Sequence, residues 1–168
     1  MSPRVNQKQP NSRMCLVCGM ENRLGLKASF YELENRELVA LFIPIEEHQG
    51  YPGRLHGGIT AAVMDETIGR AIMMQHDETI WGVTVDFNIR YKKPIPLNEE
   101  LKVIARITSE SSRLFEGSGE LILSNGETGA IAHGKYLKLS IDKIADFDIH
   151  EQQWKVITTD RDPSEIDI

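Results

Sequence analysis

From Arg54 to Glu66 the chain reads Arg-Leu-His-Gly-Gly-Ile-Thr-Ala-Ala-Val-Met-Asp-Glu, a glycine pair followed by a carboxylate seven positions on. Gly57 and Gly58 fall where a helix begins. The first N–H groups of a helix lack an intrahelical acceptor. Glycine lets another group come close to them, and the helix dipole favours an anion or a developing oxyanion there. Asp65 stands in an otherwise apolar run, where a carboxylate is rare unless it is paired or functional. At about 100° and 1.5 Å per residue it lies on the same face as Gly58, roughly 10 Å along the axis. That span is too long for both to act on one carbonyl carbon within a single subunit. If the glycines and Asp65 serve one reaction, they do so from two subunits facing each other.

The elements that hold these residues follow from the periodicity. Lys27 to Leu33 and Glu37 to Ile43 read as two strands around a polar turn, and His48 to Arg54 reads as a loop with Gly50, Pro52 and Gly53. Gly58 to about Gln75 is expected as one helix, apolar on most sides and therefore buried. Four strands follow it: Ile80 to Tyr91, Leu101 to Ile107, Leu114 to Leu123 and Ala130 to Ile141. Asn125-Gly126 between the last two is a strong hairpin signal. In the first of the four, Val83, Val85, Phe87, Ile89 and Tyr91 are expected on one face and Thr84, Asp86 and Asn88 on the other. Two strands, one long helix and four strands make an α+β chain: one helix against an antiparallel sheet of five or six strands. Such a sheet has open edges, and pairing with a second copy is the common way to close one. Residues 1–13 are expected as a flexible arm, 14–141 as the domain and 142–168 as a tail. Trp154 packs back in that scheme, and Asp160 to Ile168 is mobile.

With 168 residues, 40% apolar and 26% charged, the chain is long enough to bury a core and is neither disordered nor fibrous. Its net charge of −6 argues against nucleic acid as a partner. No run approaches the length of a membrane span, and the polar start is no signal peptide, so a cytoplasmic protein is expected. The 2 cysteines, Cys15 and Cys18, cannot make a disulfide framework. They read first as ordinary reduced thiols, with a metal shared across an oligomer or a redox pair as the alternatives. His48, His76, His133 and His150 share no metal-ligand spacing, and no metal or cofactor is expected.

His56-Gly57-Gly58 with Asp65 nine residues after the histidine, and a strand ending Tyr91-Lys92-Lys93-Pro94, resembles the hotdog-fold acyl-CoA thioesterases of the PaaI-like group. Cys15-Leu16-Val17-Cys18-Gly19 with Asn22 and Gly25-Leu26 is similar to the opening of one branch of that group. The likeness covers about residues 14–140. It implies a helix wrapped by the sheet, dimers or dimers of dimers, an acyl-CoA substrate and active sites shared between subunits. By the same resemblance Asp65 is the general base or the nucleophile, and Gly57 or Gly58 offers an N–H to the thioester oxygen. His56 then holds the loop or polarises the carbonyl, and Thr84 helps to place the water. Relatives commonly carry an amide six positions before the histidine. Here that position is Gly50, beside Gln49, so either Gln49 substitutes or the side chain is dispensed with. Glu66 is a neighbouring pocket group, or the base if the helix is rotated. Arg90, Lys92 and Lys93 either grip the phosphates of coenzyme A or are edge charges that deter aggregation. A thioester needs a donor for its oxygen, worth about 2.7–4 kcal/mol at the transition state, and a base that adds roughly 10²–10⁴ in rate. The alternative is a non-hydrolytic acyl-CoA binding or regulatory module of the same fold. A hydratase is disfavoured, because the helix carries no matching Asp/His pair.

Overall fold

The computed structural model describes residues 1–168. Strands β1 (Val5–Lys8), β2 (Ser29–Leu33) and β3 (Leu38–Phe42) precede helix α1 (Gly57–Arg70) and the short α2 (Met73–His76). Strands β4 (Ile80–Tyr91), β5 (Leu101–Glu110), β6 (Leu114–Ile122) and β7 (Thr128–Ser140) follow. All pair antiparallel in one sheet of order β1-β2-β3-β5-β6-β7-β4. The hotdog architecture expected from the sequence is therefore present, with seven strands rather than five or six. The extra strand is β1, inside the segment expected to be a flexible arm. Its mostly polar residues give no apolar alternation, and it is held by pairing with β2.

Local chemistry sets the turns. Asn35 and Asn125 each use their side-chain carbonyl to accept the N–H two residues on, closing the β2–β3 and β6–β7 hairpins. Gly126 takes the positive φ of 84° that its turn requires.

The helix packs across one face of the sheet, against β3 to β7. Val63, Met64 and Ile68 of α1 are buried in one cluster with Phe115, Leu121, Ala132 and Tyr136. Close approach depends on glycine: a Cβ on Gly117 would meet the Ile68 Cγ2 at 2.6 Å, and one on Gly82 would meet the Gly69 carbonyl at 2.9 Å. The helix ends at Arg70, five residues short of the expected Gln75, and a turn separates it from α2.

Beta-strand β4 departs from simple alternation. Thr84 pairs with Tyr136 and Asp86 with Lys135, so Val85 is an extra residue in a bulge. A bulge reverses the parity of the residues beyond it. Gly82 and Thr84 face α1 before the bulge, and Phe87 and Ile89 pack on the core after it. Val83 and Val85, expected to share the face of Phe87, are instead exposed.

The C-terminal segment is docked rather than free. Ile166 is 6% exposed, in a second apolar cluster with Tyr31, Leu33, Val39 and Ile104 on the other face of the sheet. Asp162 pairs with Lys8 at 2.6 Å and accepts the Tyr31 hydroxyl at 2.9 Å. The expectation of a mobile Asp160 to Ile168 fails because its anchors, Lys8 and Tyr31, lie more than a hundred residues away, beyond any local pattern. Trp154 packs back as expected, its ring 4.8 Å from that of Trp81.

Candidate active site

Histidine 56 caps α1. Its Nδ1 accepts the Gly58 N–H at 2.9 Å, so the ring's remaining proton sits on Nε2. Of the two glycine donors weighed in the sequence, Gly58 is thus engaged, while the Gly57 N–H has no partner in the chain. The carbonyl of Gly57 accepts the Tyr91 hydroxyl at 2.5 Å, and the Tyr91 ring covers the position a Gly57 Cβ would fill. This contact fixes the first turn of the helix from β4.

Two turns further on, Asp65 is half-buried at the helix surface that faces β4 and β7. Thr84 Oγ1 lies 3.0 Å from both carboxylate oxygens, and Tyr136 donates to Oδ1 at 2.9 Å. Burial pushes the Asp65 carboxyl above its ordinary range; the Tyr136 and Thr84 hydroxyls pull it back, and Glu66 adds a smaller upward push. Tyr136 itself is fully buried and stacked on Phe115, with ring centroids 4.9 Å apart. Burial first and the Asp65 charge second drive its phenol upward, so it stays protonated and can only donate to the carboxylate. Oδ2 then keeps lone pairs free for a water molecule.

The structure brings Thr84 and Asp65 together, and His56 and Gly57 together at the helix start. The remaining candidates are placed elsewhere. Gln49 spends its side-chain carbonyl on the Gly53 N–H at 3.2 Å, within its own loop. Gly50 packs against His56, where a Cβ would lie 3.2 Å from the His56 Cα. Glu66 points away from the Asp65 side, to Arg70 Nε at 2.9 Å and to the Cys15 thiol at 3.1 Å. Lys93 is paired with Glu127, whereas Arg90 and Lys92 make no ion pair. Tyr136 and Tyr91 were missed by sequence reasoning. The signal for Tyr136 was its place in β7, on one face with Ala130, Ala132 and Gly134. A lone hydroxyl among small inward residues, opposite a helix carboxylate, marks a donor to that carboxylate.

Beside this site lies a cavity of about 490 Å³ between α1, the N-terminal loop and the C-terminal segment. Trp81, Phe147, Trp154 and Met73 give it apolar walls, with Glu66 and Arg70 on its polar side.

Residues 52–130 match the thioesterase superfamily. The mouse (Mus musculus) acyl-coenzyme A thioesterase 13 is 36% identical over 94 residues, which are 55% of this chain and 65% of that protein. The chain thus spans just under two thirds of the length of this curated relative. A crystal structure of a thioesterase superfamily protein superimposes with a TM-score of 0.67 at 26% identity, covering 74% of this chain and 63% of the other. The E. coli PaaI protein, from the phenylacetic acid degradation operon, shares the fold with a TM-score of 0.62 at 16% identity, over 68% of this chain and 81% of that one. Residues 52–130 are thus similar to the thioesterase superfamily, and the helix and antiparallel sheet share the hotdog fold of these structures.

Proposed function

We propose that the protein is an acyl-CoA thioesterase, hydrolysing its substrate to the free acid and CoA at a site built by two copies of the chain. The observation that carries this reading is the half-buried Asp65 carboxylate, held by the Thr84 and Tyr136 hydroxyls. Asp65 takes a proton from water, and the resulting hydroxide attacks the thioester carbonyl. The Gly57 N–H, with the helix dipole behind it, receives the oxyanion, and the His56 Nε2–H serves as a second donor. The tetrahedral intermediate collapses, and the departing thiolate takes the proton from Asp65.

Asp65 and Gly57 are eight residues apart on one straight helix, about 12 Å along its axis. One carbonyl therefore meets Asp65 from one copy and Gly57 from another. Strand β4 supports such pairing: it is a sheet edge 12 residues long, with Val85 59% and Val83 36% exposed on it. A long open edge carrying apolar side chains is stable in solution when covered, and a second copy continues the sheet. Arg90 and Lys92, free of ion pairs near the start of α1, suit the phosphates of coenzyme A.

The non-hydrolytic binding module has one observation on its side. The amide usual in relatives is absent at Gly50, and the Gln49 side chain is occupied by Gly53. The deciding experiment is thiol release from short, medium, long and aromatic acyl-CoAs, with the acid product identified. Turnover on at least one class supports the thioesterase; tight binding without release supports the module.

A further inference from the structure

We propose that Cys15 and Cys18 form a reversible dithiol, oxidised to a disulfide by low-molecular-weight disulfides, with Cys18 as the attacking sulfur. The observations are independent of the thioesterase reading. The two sulfurs and a Glu66 carboxylate oxygen lie within 4.8 Å of one another, and both cysteines line the wall of the 490 Å³ cavity. Their surroundings differ. Cys18 Sγ receives the Arg70 Nη2 donor at 3.1 Å, while the Cys15 thiol donates to Glu66 Oε2 at 3.1 Å. Arg70 is held in that position by Glu66, by the Pro10 carbonyl at 2.9 Å, and between the Phe30 and Trp154 rings.

The charges sort the two roles. The Arg70 guanidinium at 3.1 Å and the Ser12 hydroxyl at 3.4 Å favour the Cys18 thiolate against its burial and the nearby Glu66 charge. Burial and the Glu66 charge beside it keep Cys15 protonated. The Cys18 thiolate attacks one sulfur of the small disulfide, that S–S bond breaks, and the first small thiolate leaves and is protonated by solvent. Cys15 then passes its proton to the Glu66 carboxylate as its sulfur attacks Cys18 in the mixed disulfide. The second small thiolate leaves and takes that proton. The protein loses two electrons, and the small disulfide becomes two thiols. A divalent metal fits the same cluster poorly, because the permanently charged Arg70 already holds Cys18 and one oxygen of Glu66.

The test equilibrates the whole reduced protein in buffers of graded reduced-to-oxidised glutathione, then quenches with acid, alkylates and reads intact mass. Wild type is expected to lose both alkylation sites together without retaining glutathione. Cys15→Ser is expected to stop as a glutathione adduct on Cys18, and Cys18→Ser to form its adduct about tenfold more slowly or less. Circular dichroism verifies the fold of each variant, and the wild-type titration stands without them. The proposal is overturned by thiols of the folded wild type that stay reduced at every ratio. It is equally overturned by faster adduct formation at Cys15 than at Cys18, or by protein purified with one zinc per chain that blocks both sulfurs.

Discussion

Tyr136 and Thr84 approach Asp65 from adjacent strands, and they are themselves a cross-strand pair, joined directly before the β4 bulge. The bulge at Val85 is what lets β4 present Thr84 to the helix and still return Phe87 to the core. Carboxylate, phenol and hydroxyl therefore form one unit, built by three elements distant in sequence.

Removing the phenol hydroxyl isolates its share. Tyr136→Phe keeps the ring stacked on Phe115 and deletes the bond to Oδ1. Because that bond favours the charged carboxylate, its loss raises the Asp65 pKa, and the acidic limb of the pH–rate profile moves to higher pH. Stability falls by about 1.5–3 kcal/mol, the usual scale for a hydrogen bond to a charged group. Paired pH–rate profiles and urea titrations check both effects.

Thr84 reaches Asp65 through its hydroxyl. Thr84→Ser retains the donor and is expected to keep most activity. Thr84→Val, nearly the same shape, is expected to lose roughly tenfold or more in kcat, part of the 10²–10⁴ a positioned base supplies. Equal losses in the two variants would assign Thr84 a packing role instead.

Burial of the charged Asp65 carboxylate opposes stability. Burial, the largest influence, raises its folded pKa above the unfolded value, so the native state binds the proton more readily. Its stabilising contribution is then complete below the unfolded pKa, about 3.9, and is lost as pH rises through the folded value. Asp65→Asn stays neutral throughout and is expected to unfold at equal or higher urea than wild type at neutral pH. The difference closes as the pH approaches about 4. A variant markedly less stable than wild type at neutral pH would mark Asp65 as structural.

The docked C-terminal segment stabilises the sheet's other face. Ile166→Ala is expected to cost about 2–3 kcal/mol, since it empties an apolar site that Tyr31 and Leu33 line. Burial pushes the Asp162 carboxyl up, but Lys8, the Thr159 N–H and the Tyr31 hydroxyl outweigh it and hold it at about 2. That contribution is present above about pH 3.9 and is lost as the pH falls toward about 2. Asp162→Asn should therefore differ from wild type at neutral pH and converge with it in acid, as thermal melts would show.

Much of this was legible in the chain, for reasons that also mark the limits. The helix and six of the strands follow from apolar periodicity, and the Asn125-Gly126 hairpin from turn chemistry. The seven-residue separation of Gly58 and Asp65 already implied two copies if both serve one reaction. What the sequence concealed was long-range or irregular. The bulge at Val85 has no signature in an alternating strand, so the facing of Val83 and Phe87 was misread. Strand β1 and the Ile166 anchor depend on partners far along the chain. Tyr136 donates to Asp65 across 71 residues, and only the fold reveals the pair. The same holds for Arg70, which falls inside the helix expected from the sequence and which the structure places against Cys18.

The most direct measurement is kcat for thiol release by wild type and by Asp65→Asn on the same acyl-CoA, with oligomeric state measured in parallel. The isosteric change leaves packing intact and removes the base. A fall of roughly 10²-fold or more, with assembly unchanged, is the expected result. Equal turnover by the two proteins would contradict Asp65 as the base and place the chemistry elsewhere.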